Sequence, residues 1–288
     1  MMSRKEDNLL REITDYLKMN TEVFLPTNYV TSLKNQETDC HSKKQIKRGL
    51  SVEILYSDRR KEFTEFHRIR MSTSSRKKKV EKYYWIRIVK NKPTDVIQAA
   101  LKKQYDIMQR LFPFLQNGSN DMTLACSKAI VLLPDFNALL TRECAGELFN
   151  RHLKKQIPQV TANKILEHCC NCGVWLRNFH LCFMDETVSE AELQQHRIRF
   201  AGKYGRQPDN KLNLLTYCHH DFSPRNIFVG KKSVEVIDFV GVEKGFPEED
   251  IEFFRHYIMK AKFNGLYSHA FKSKMVANFI DGYHCEAF

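Results

Sequence analysis

The segment from Leu212 to Phe239 constrains this chain more than any other stretch. An apolar run ending at Cys218 leads into His219-His220-Asp221-Phe222-Ser223-Pro224-Arg225-Asn226. Ile227-Phe228-Val229, the turn residues Gly230-Lys231-Lys232 and Val234-Glu235-Val236-Ile237 follow, and the unit closes on Asp238-Phe239. β-Branched and aromatic residues on either side of a glycine-led turn predict a hairpin. The sequence therefore reads as a strand, a polar loop pinned by Pro224, and a two-stranded hairpin. A tight hairpin brings the foot of one strand close to the end of its partner, so Asn226 and Asp238 converge on one point with Asp221 beside them. Two hard oxygen donors at one point suit Mg²⁺, which seldom has an all-protein cage. A neighbouring carboxylate can accept or orient a hydroxyl proton. Taken singly, a loop Asp more often closes an Asx turn or caps a helix; the ordered set is more specific than its members.

The rest of the chain supplies elements around this unit. Leu9, Leu10, Ile13, Tyr16 and Leu17 predict an amphipathic helix over residues 5–20, and residues 21–50 read as irregular. Strands are predicted at 52–56, 63–69 and 83–89, with the run Ser72 to Lys79 between the last two read as a solvated hairpin loop. Val96, Ile97, Ala100, Leu101, Ile107, Met108 and Leu111 share one helical stripe over 95–112. Strands at 129–133 and 138–142 flank the turn Pro134-Asp135-Phe136-Asn137. After Gly146 the pattern turns helical: 147–155, 161–184, 189–202, 249–263 and 268–283.

Charge is distributed unevenly. Residues 1–118 hold 25 Lys and Arg against 14 Asp and Glu, which is nearly all of the net +12. A basic N-terminal part attracts nucleotide phosphates, nucleic acid, an anionic membrane face or an acidic glycan, and charge alone does not separate these. The longest aliphatic runs, such as Ala129 to Leu133, fall far short of the ~20 residues that cross a bilayer. The N-terminus shows no secretory h-region. Nine cysteines in no regular framework read as reduced thiols, which places the chain in the cytoplasm.

The ordered set H-x-D-x-x-x-x-N, hairpin, I-D-F, Gly-Pro-rich turn and Asp resembles the aminoglycoside phosphotransferase and choline kinase-like branch of the protein-kinase fold. The matching residues are His219, Asp221, Asn226, Ile237-Asp238-Phe239, Gly245, Pro247 and Asp250. Glu143-Cys144-Ala145-Gly146 is similar to the family's hinge. Gly173 to His180 is similar to its small-residue, Leu, Leu-His helix end, and Phe279 to Tyr283 to its late Phe-x-x-x-Tyr helix. The likeness covers about residues 50–283 and is concentrated between about 215 and 255.

The resemblance implies an α+β, two-lobed protein-kinase-like fold. Residues 1–142 would form an N-lobe with an antiparallel β-sheet and one main helix, and residues 143–288 a mostly helical C-lobe. It implies Mg²⁺-dependent transfer of the ATP γ-phosphoryl group to a hydroxyl. Asp221 would be the catalytic Asp, and Asn226 and Asp238 would hold Mg²⁺. His219 would brace the loop and Asp250 would tie its backbone in place. Glu143, Cys144 and Ala145 would border the adenine, and Arg87 would meet the phosphates from the third strand, with Lys90 on the opposite strand face. Gln104 stands where the family's helix presents a Glu to that cation, and Ser57-Asp58-Arg59-Arg60-Lys61 lacks the glycines of a phosphate-covering turn. Near-neutral charge over 119–288, with an acidic stretch only between Asp185 and Glu192, points to a small-molecule acceptor with a sugar or glycan hydroxyl ahead of a cationic one. Peripheral membrane contact through the basic N-lobe stays open.

Four other readings compete with this one. An HD-type metal phosphohydrolase would carry its His-Asp pair on a helix, whereas His220-Asp221 follows a strand run. A zinc site at His168-Cys169-Cys170-Asn171-Cys172 lacks a second Cys pair, and core packing accounts for those residues better. Nucleic-acid binding rests on Tyr83, Tyr84 and Trp85 near Lys77–Lys79, which read as strand core and loop. A kinase fold kept for partner binding is favoured by Gln104 and opposed by the intact Asp221, Asn226 and Asp238 set.

Overall fold

The computed structural model describes residues 4–19, 50–58, 63–75, 78–91, 93–116, 122–154, 159–185, 187–208 and 214–285. The irregular reading of 21–49 and the turn at 59–62 lie outside the described residues. The chain forms two compact units, one of residues 1–105 with 128–143 and the other of 106–127 with 144–288.

The first unit is built on a five-stranded antiparallel sheet of order β1-β2-β3-β6-β5. Its strands are β1 (Leu50–Asp58), β2 (Thr64–Ser75), β3 (Lys78–Val89), β5 (Ala129–Leu133) and β6 (Ala138–Arg142). The period of two along β3 sends Tyr84, Ile86 and Ile88 to one face, where Ile69 and Met71 of β2 join them. Helix α1 (Arg4–Met19) covers that face with Leu10, Ile13 and Leu17, residues three and four apart that form one apolar stripe. Arg87 points to the other face, toward α2 (Thr94–Gln116), whose first half buries Ile97, Leu101 and Gln104. The turn between β5 and β6 is a short 3₁₀ segment that ends with Asn137 at a left-handed φ of 48°.

Two local expectations are corrected. Within the run Ser72 to Lys79, the described residues are strand and not open loop: Ser72 pairs with Glu81, Thr73 with Val80, Ser74 with Lys79 and Ser75 with Lys78. The hydroxyl-rich and basic composition misled, because a long two-stranded ribbon needs polar residues as much as a loop does. An unforeseen strand, β4 (Thr123–Cys126), also follows α2. At four residues it is too short for period alone to separate it from coil.

In the second unit, β4 pairs in parallel with β10 (Ser233–Val236), giving the sheet order β4-β10-β9-β7 with β9 (Ile227–Val229) and β7 (Glu147–Leu148). A second pair joins β8 (Thr216–Cys218) to β11 (Glu243–Gly245). The helices are α3 (Phe149–Leu153), α4 (Gln159–Cys182), α5 (Glu190–Tyr204), α6 (Glu248–Lys260) and α7 (His269–His284). No described helix is long and apolar enough to cross a membrane.

An aromatic stack fills this unit. Trp175 lies between Phe179 and Phe222, ring centroids 5.5 and 5.6 Å away, and its indole N–H donates to the Ala125 carbonyl at 2.7 Å. Burying such side chains stabilises the fold by roughly 1.5–3 kcal/mol each. Two of the three cysteines of 168–172 belong to this interior: Cys169 and Cys172 are fully buried, and burial pushes their thiols up, away from the thiolate that a metal needs, while Cys170 is half-buried. Burial, helped by the nearby His152 charge, lowers the pKa of His168 to about 4.

Glycines let α4 and α7 approach closely. A methyl group at Gly282 would stand 2.0 Å from the Cys170 carbonyl oxygen, and one at Gly173 2.0 Å from that of Phe279. Gly282→Ala is therefore expected to destabilise the protein by about 1–3 kcal/mol. Gly202→Ala, in the interior of α5 with nothing within 4 Å, is expected to be neutral or to stabilise by up to about 1 kcal/mol. Thermal unfolding of the two variants side by side checks both signs.

Candidate active site

The loop from His219 to Asn226 is held from beneath by one buried carboxylate. Asp250, in the first turn of α6, accepts the backbone N–H of His219 at 2.6 Å and of His220 at 2.7 Å. It also meets His180 Nε2 at 3.1 Å, and His180 Nδ1 lies 2.8 Å from the Tyr283 hydroxyl. Burial opposes ionisation of Asp250, but the His180 hydrogen bond and the His180 and His219 imidazoles outweigh it and lower the pKa. His219 is buried as well; its Nε2–H donates to the Ile237 carbonyl at 3.1 Å, and burial keeps the ring neutral by lowering its pKa.

Two sequence features fix the rim. Asp221 and Asp238 are each followed by a phenylalanine, and Phe222 and Phe239 are buried against Trp175. The rings anchor the backbone and leave Asp221 exposed and Asp238 half-buried. Asp238 and His220 also hold left-handed φ values of 67° and 60°. For non-glycine residues such conformations cost about 1–3 kcal/mol each and cluster at sites where a side chain must be aimed.

Asn226 links the groups. Its Nδ2 donates to Asp221 Oδ2 at 2.9 Å and to the Asp221 carbonyl at 3.0 Å. Its own carbonyl accepts the Ile237 N–H at 3.0 Å, which sets Asp238 one residue beyond that contact. Ser223 Oγ reaches Asp221 Oδ1 at 3.4 Å, and the Pro224 carbonyl accepts the Asn150 N–H at 2.8 Å, tying the loop to α3. The structure thus brings Asp221, Asn226, Asp238, His219 and Asp250 into one neighbourhood. With Nδ2 engaged, Asn226 keeps Oδ1 as a hard oxygen donor, and the Asp238 carboxylate is a second; this donor set fits Mg²⁺.

The other candidate residues have definite partners. Arg87 Nη1 lies 3.5 Å from Gln104 Oε1, and its guanidinium sits over the Phe66 ring. Lys90 is engaged on the opposite face by Glu65 at 2.6 Å. Glu143 pairs through both carboxylate oxygens with Arg68, at 2.9 Å each. The Ala145 N–H donates to the buried Glu235 at 3.1 Å, and desolvation together with Glu235 raises the Cys144 thiol well above its usual range. The acidic stretch is neutralised locally. Lys244 contacts Asp185 at 2.8 Å and Glu192 at 3.4 Å, its hydrogen bond holds the Asp185 carboxyl well down, and Arg197 meets Glu190.

Sequence reasoning missed the roles of His180 and Glu235. His180 lies on α4, 70 residues from its carboxylate partner, and no local pattern marks that pairing. Glu235 alternates with Val234 and Val236 as a solvent-facing strand residue would, yet it is buried.

No family model matches the sequence, and no curated protein matches it. Among solved structures the chain is similar to amicoumacin kinase hAmiN in complex with AMP-PNP, Ca²⁺ and Ami, at 10% identity and a TM-score of 0.49, over 91% of this chain and 81% of that one. It is also similar to a choline/ethanolamine kinase family protein from Mesorhizobium loti, at 10% identity and a TM-score of 0.39, over 81% of this chain and 69% of that one.

The lowered pKa of Asp250 makes its ionisation a source of stability. That contribution is complete above the unfolded aspartate value of about 3.9 and is lost as pH falls through the lower folded value. Asp250→Asn keeps one acceptor oxygen in place of two and leaves buried donors unmet. It is expected to cost on the order of 3 kcal/mol at pH 7 and to flatten the loss of stability below pH 4. Urea unfolding across that range, wild type against variant, measures both effects.

Proposed function

We propose that this chain is an ATP- and Mg²⁺-dependent phosphotransferase that moves the γ-phosphoryl group to a hydroxyl of a small-molecule acceptor. The observation that carries the reading is the bonded Asp221–Asn226 pair with Asp238 fixed beside it by the Ile237 N–H to Asn226 carbonyl bond. The order of these residues, and their resemblance to the aminoglycoside phosphotransferase and choline kinase-like pattern, support the same reading.

In this scheme Asn226 Oδ1 and the Asp238 carboxylate hold the metal ion. When bound, Mg²⁺ neutralises charge on the transferring phosphates. Asp221, exposed and oriented by Asn226 Nδ2, accepts the acceptor's hydroxyl proton on a carboxylate oxygen. His219 and Asp250 hold the loop so that the carboxylate is placed before substrate arrives, and such positioning supplies much of the rate in phosphoryl transfer. Arg87 of the first unit is the cation that the resemblance assigns to the phosphates. The pairing of Asp185, Glu190 and Glu192 with Lys244 and Arg197 suits a neutral hydroxyl acceptor, such as a sugar, better than a cationic one. The cysteines crowded along one buried helix suit a reducing compartment, the cytoplasm. The neutral Gln104 opposite Arg87 favours a second reading, a kinase fold that acts through partner binding.

One experiment separates the two. Asp221→Ala is expected to reduce ATP-to-ADP turnover over an acceptor panel by about 10²–10⁴-fold. The Mg²⁺-dependent rise in melting temperature on adding ATP should remain. Undiminished turnover in the variant would remove Asp221 as the base. No turnover by the wild type with any acceptor, alongside retained ATP binding, would favour the partner-binding reading.

A further inference from the structure

The first unit holds a second polar cluster, on the sheet face covered by α1 and opposite to Arg87. His67 is fully buried, and Glu65, two residues before it on β2, is nearly so. Ser57 Oγ lies 2.8 Å from His67 Nδ1, His67 Nε2 lies 3.2 Å from Glu65 Oε2, and Glu65 Oε1 lies 2.6 Å from Lys90 Nζ. The Lys90 ammonium donates to the Glu65 carboxylate, whose oxygens accept. His67 Nε2 must then carry the proton toward Glu65, which leaves Nδ1 as a lone pair that accepts the Ser57 hydroxyl. A serine, an imidazole and a carboxylate in this relation are the parts of a nucleophilic relay.

The strand geometry opens this serine to a cavity. Register between β1 and β2 shifts between Ile54 and Tyr56: Ile54 pairs with Ile69, whereas Tyr56 pairs with Arg68 and Ser57 with His67. Residues three apart on a regular strand face opposite ways; the bulge turns Ile54 and Ser57 to the same side. Both line a cavity of about 380 Å³ between β1 and α1, with Leu10, Arg11 and Lys18 on the helix side. Leu10 and Ile54 offer apolar wall, and Arg11, Thr14 and the Lys18–Asp15 ion pair, 3.0 Å apart, form a polar rim on the helix side.

We propose that Ser57 is a nucleophile activated by His67 and Glu65, and that this cavity takes an activated acyl ester. Ser57 Oγ attacks the carbonyl carbon, the Oγ–C bond forms and the C–O bond to the leaving group breaks. The hydroxyl proton passes to His67 Nδ1 and then to the departing oxygen, leaving an acyl-serine and an alcohol with no change of oxidation state. The imidazolium formed in between is stabilised by Glu65, which Lys90 holds in place. This inference is independent of the phosphotransferase reading, and its test uses no kinase assay.

The full-length protein is treated with an alkyl fluorophosphonate and, separately, with p-nitrophenyl butyrate, and adducts are located by peptide mass spectrometry. Exposed Ser51 and half-buried Ser72, whose hydroxyls lie 2.7 Å from each other, serve as internal controls. The expected result is one adduct at Ser57 from each probe, none at Ser51 or Ser72, and loss of the adduct in Ser57→Ala and after heat unfolding. His67→Gln should slow labelling at least tenfold; if that variant fails to fold, the comparison of Ser57 with Ser51 in the wild type still decides. No adduct at Ser57, or labelling of Ser51 and Ser72 to the same extent, would overturn the proposal.

Discussion

The second unit depends on a single buried carboxylate. Asp250 is fully desolvated, and an ion in that position is tolerated only where donors surround it. Those donors are the consecutive N–H groups of His219 and His220 and the ring of His180, whose other nitrogen meets Tyr283. Four separate parts of the chain, on α4, the loop after β8, α6 and α7, therefore meet at one charge. The loop's conformation is set by satisfying that charge, and the strained φ of His220 is held by the same contacts.

From that anchor the site is built by alternation between core and rim. Each Asp-Phe pair sends a ring down into the Trp175 stack and leaves a carboxylate above it. The rings are immobilised by close packing, so the carboxylates inherit fixed positions without long polar tethers. Asn226 then joins the two rims, through its side chain to Asp221 and through its carbonyl to the residue before Asp238. The close approach of α4 and α7 at Gly173 and Gly282 brings Phe279 to the base of the stack, where it meets Phe222 and Phe254.

Much of this was legible in the sequence, for local reasons. The strands at 129–133 and 138–142 were marked by short apolar runs on either side of a Pro-Asp-Phe-Asn turn, and α1 by its apolar spacing; both signals act over fewer than 20 residues. The convergence of Asn226 with the end of the hairpin was legible because a two-residue-period hairpin leaves the backbone little choice. Features decided by distant partners were not. The pairing of Ser72–Ser75 with Lys78–Glu81 depends on the cross-strand partner and not on composition, β4 becomes a strand because β10 offers it a parallel edge, and His180 finds its role through a residue 70 positions away. The Ser57–His67 contact was hidden for a related reason, since a bulge that changes which face a side chain takes leaves no mark in the period of the strand.

The central claim is that Asn226 and Asp238 hold one divalent ion with the nucleotide. Electron paramagnetic resonance of Mn²⁺, titrated with a non-hydrolysable ATP analogue, reads that ion directly. The account predicts saturable, nucleotide-dependent Mn²⁺ binding in the wild type that is lost in Asp238→Ala and weakened in Asn226→Ala. Binding unchanged in both folded variants, or absent from the wild type, would contradict it.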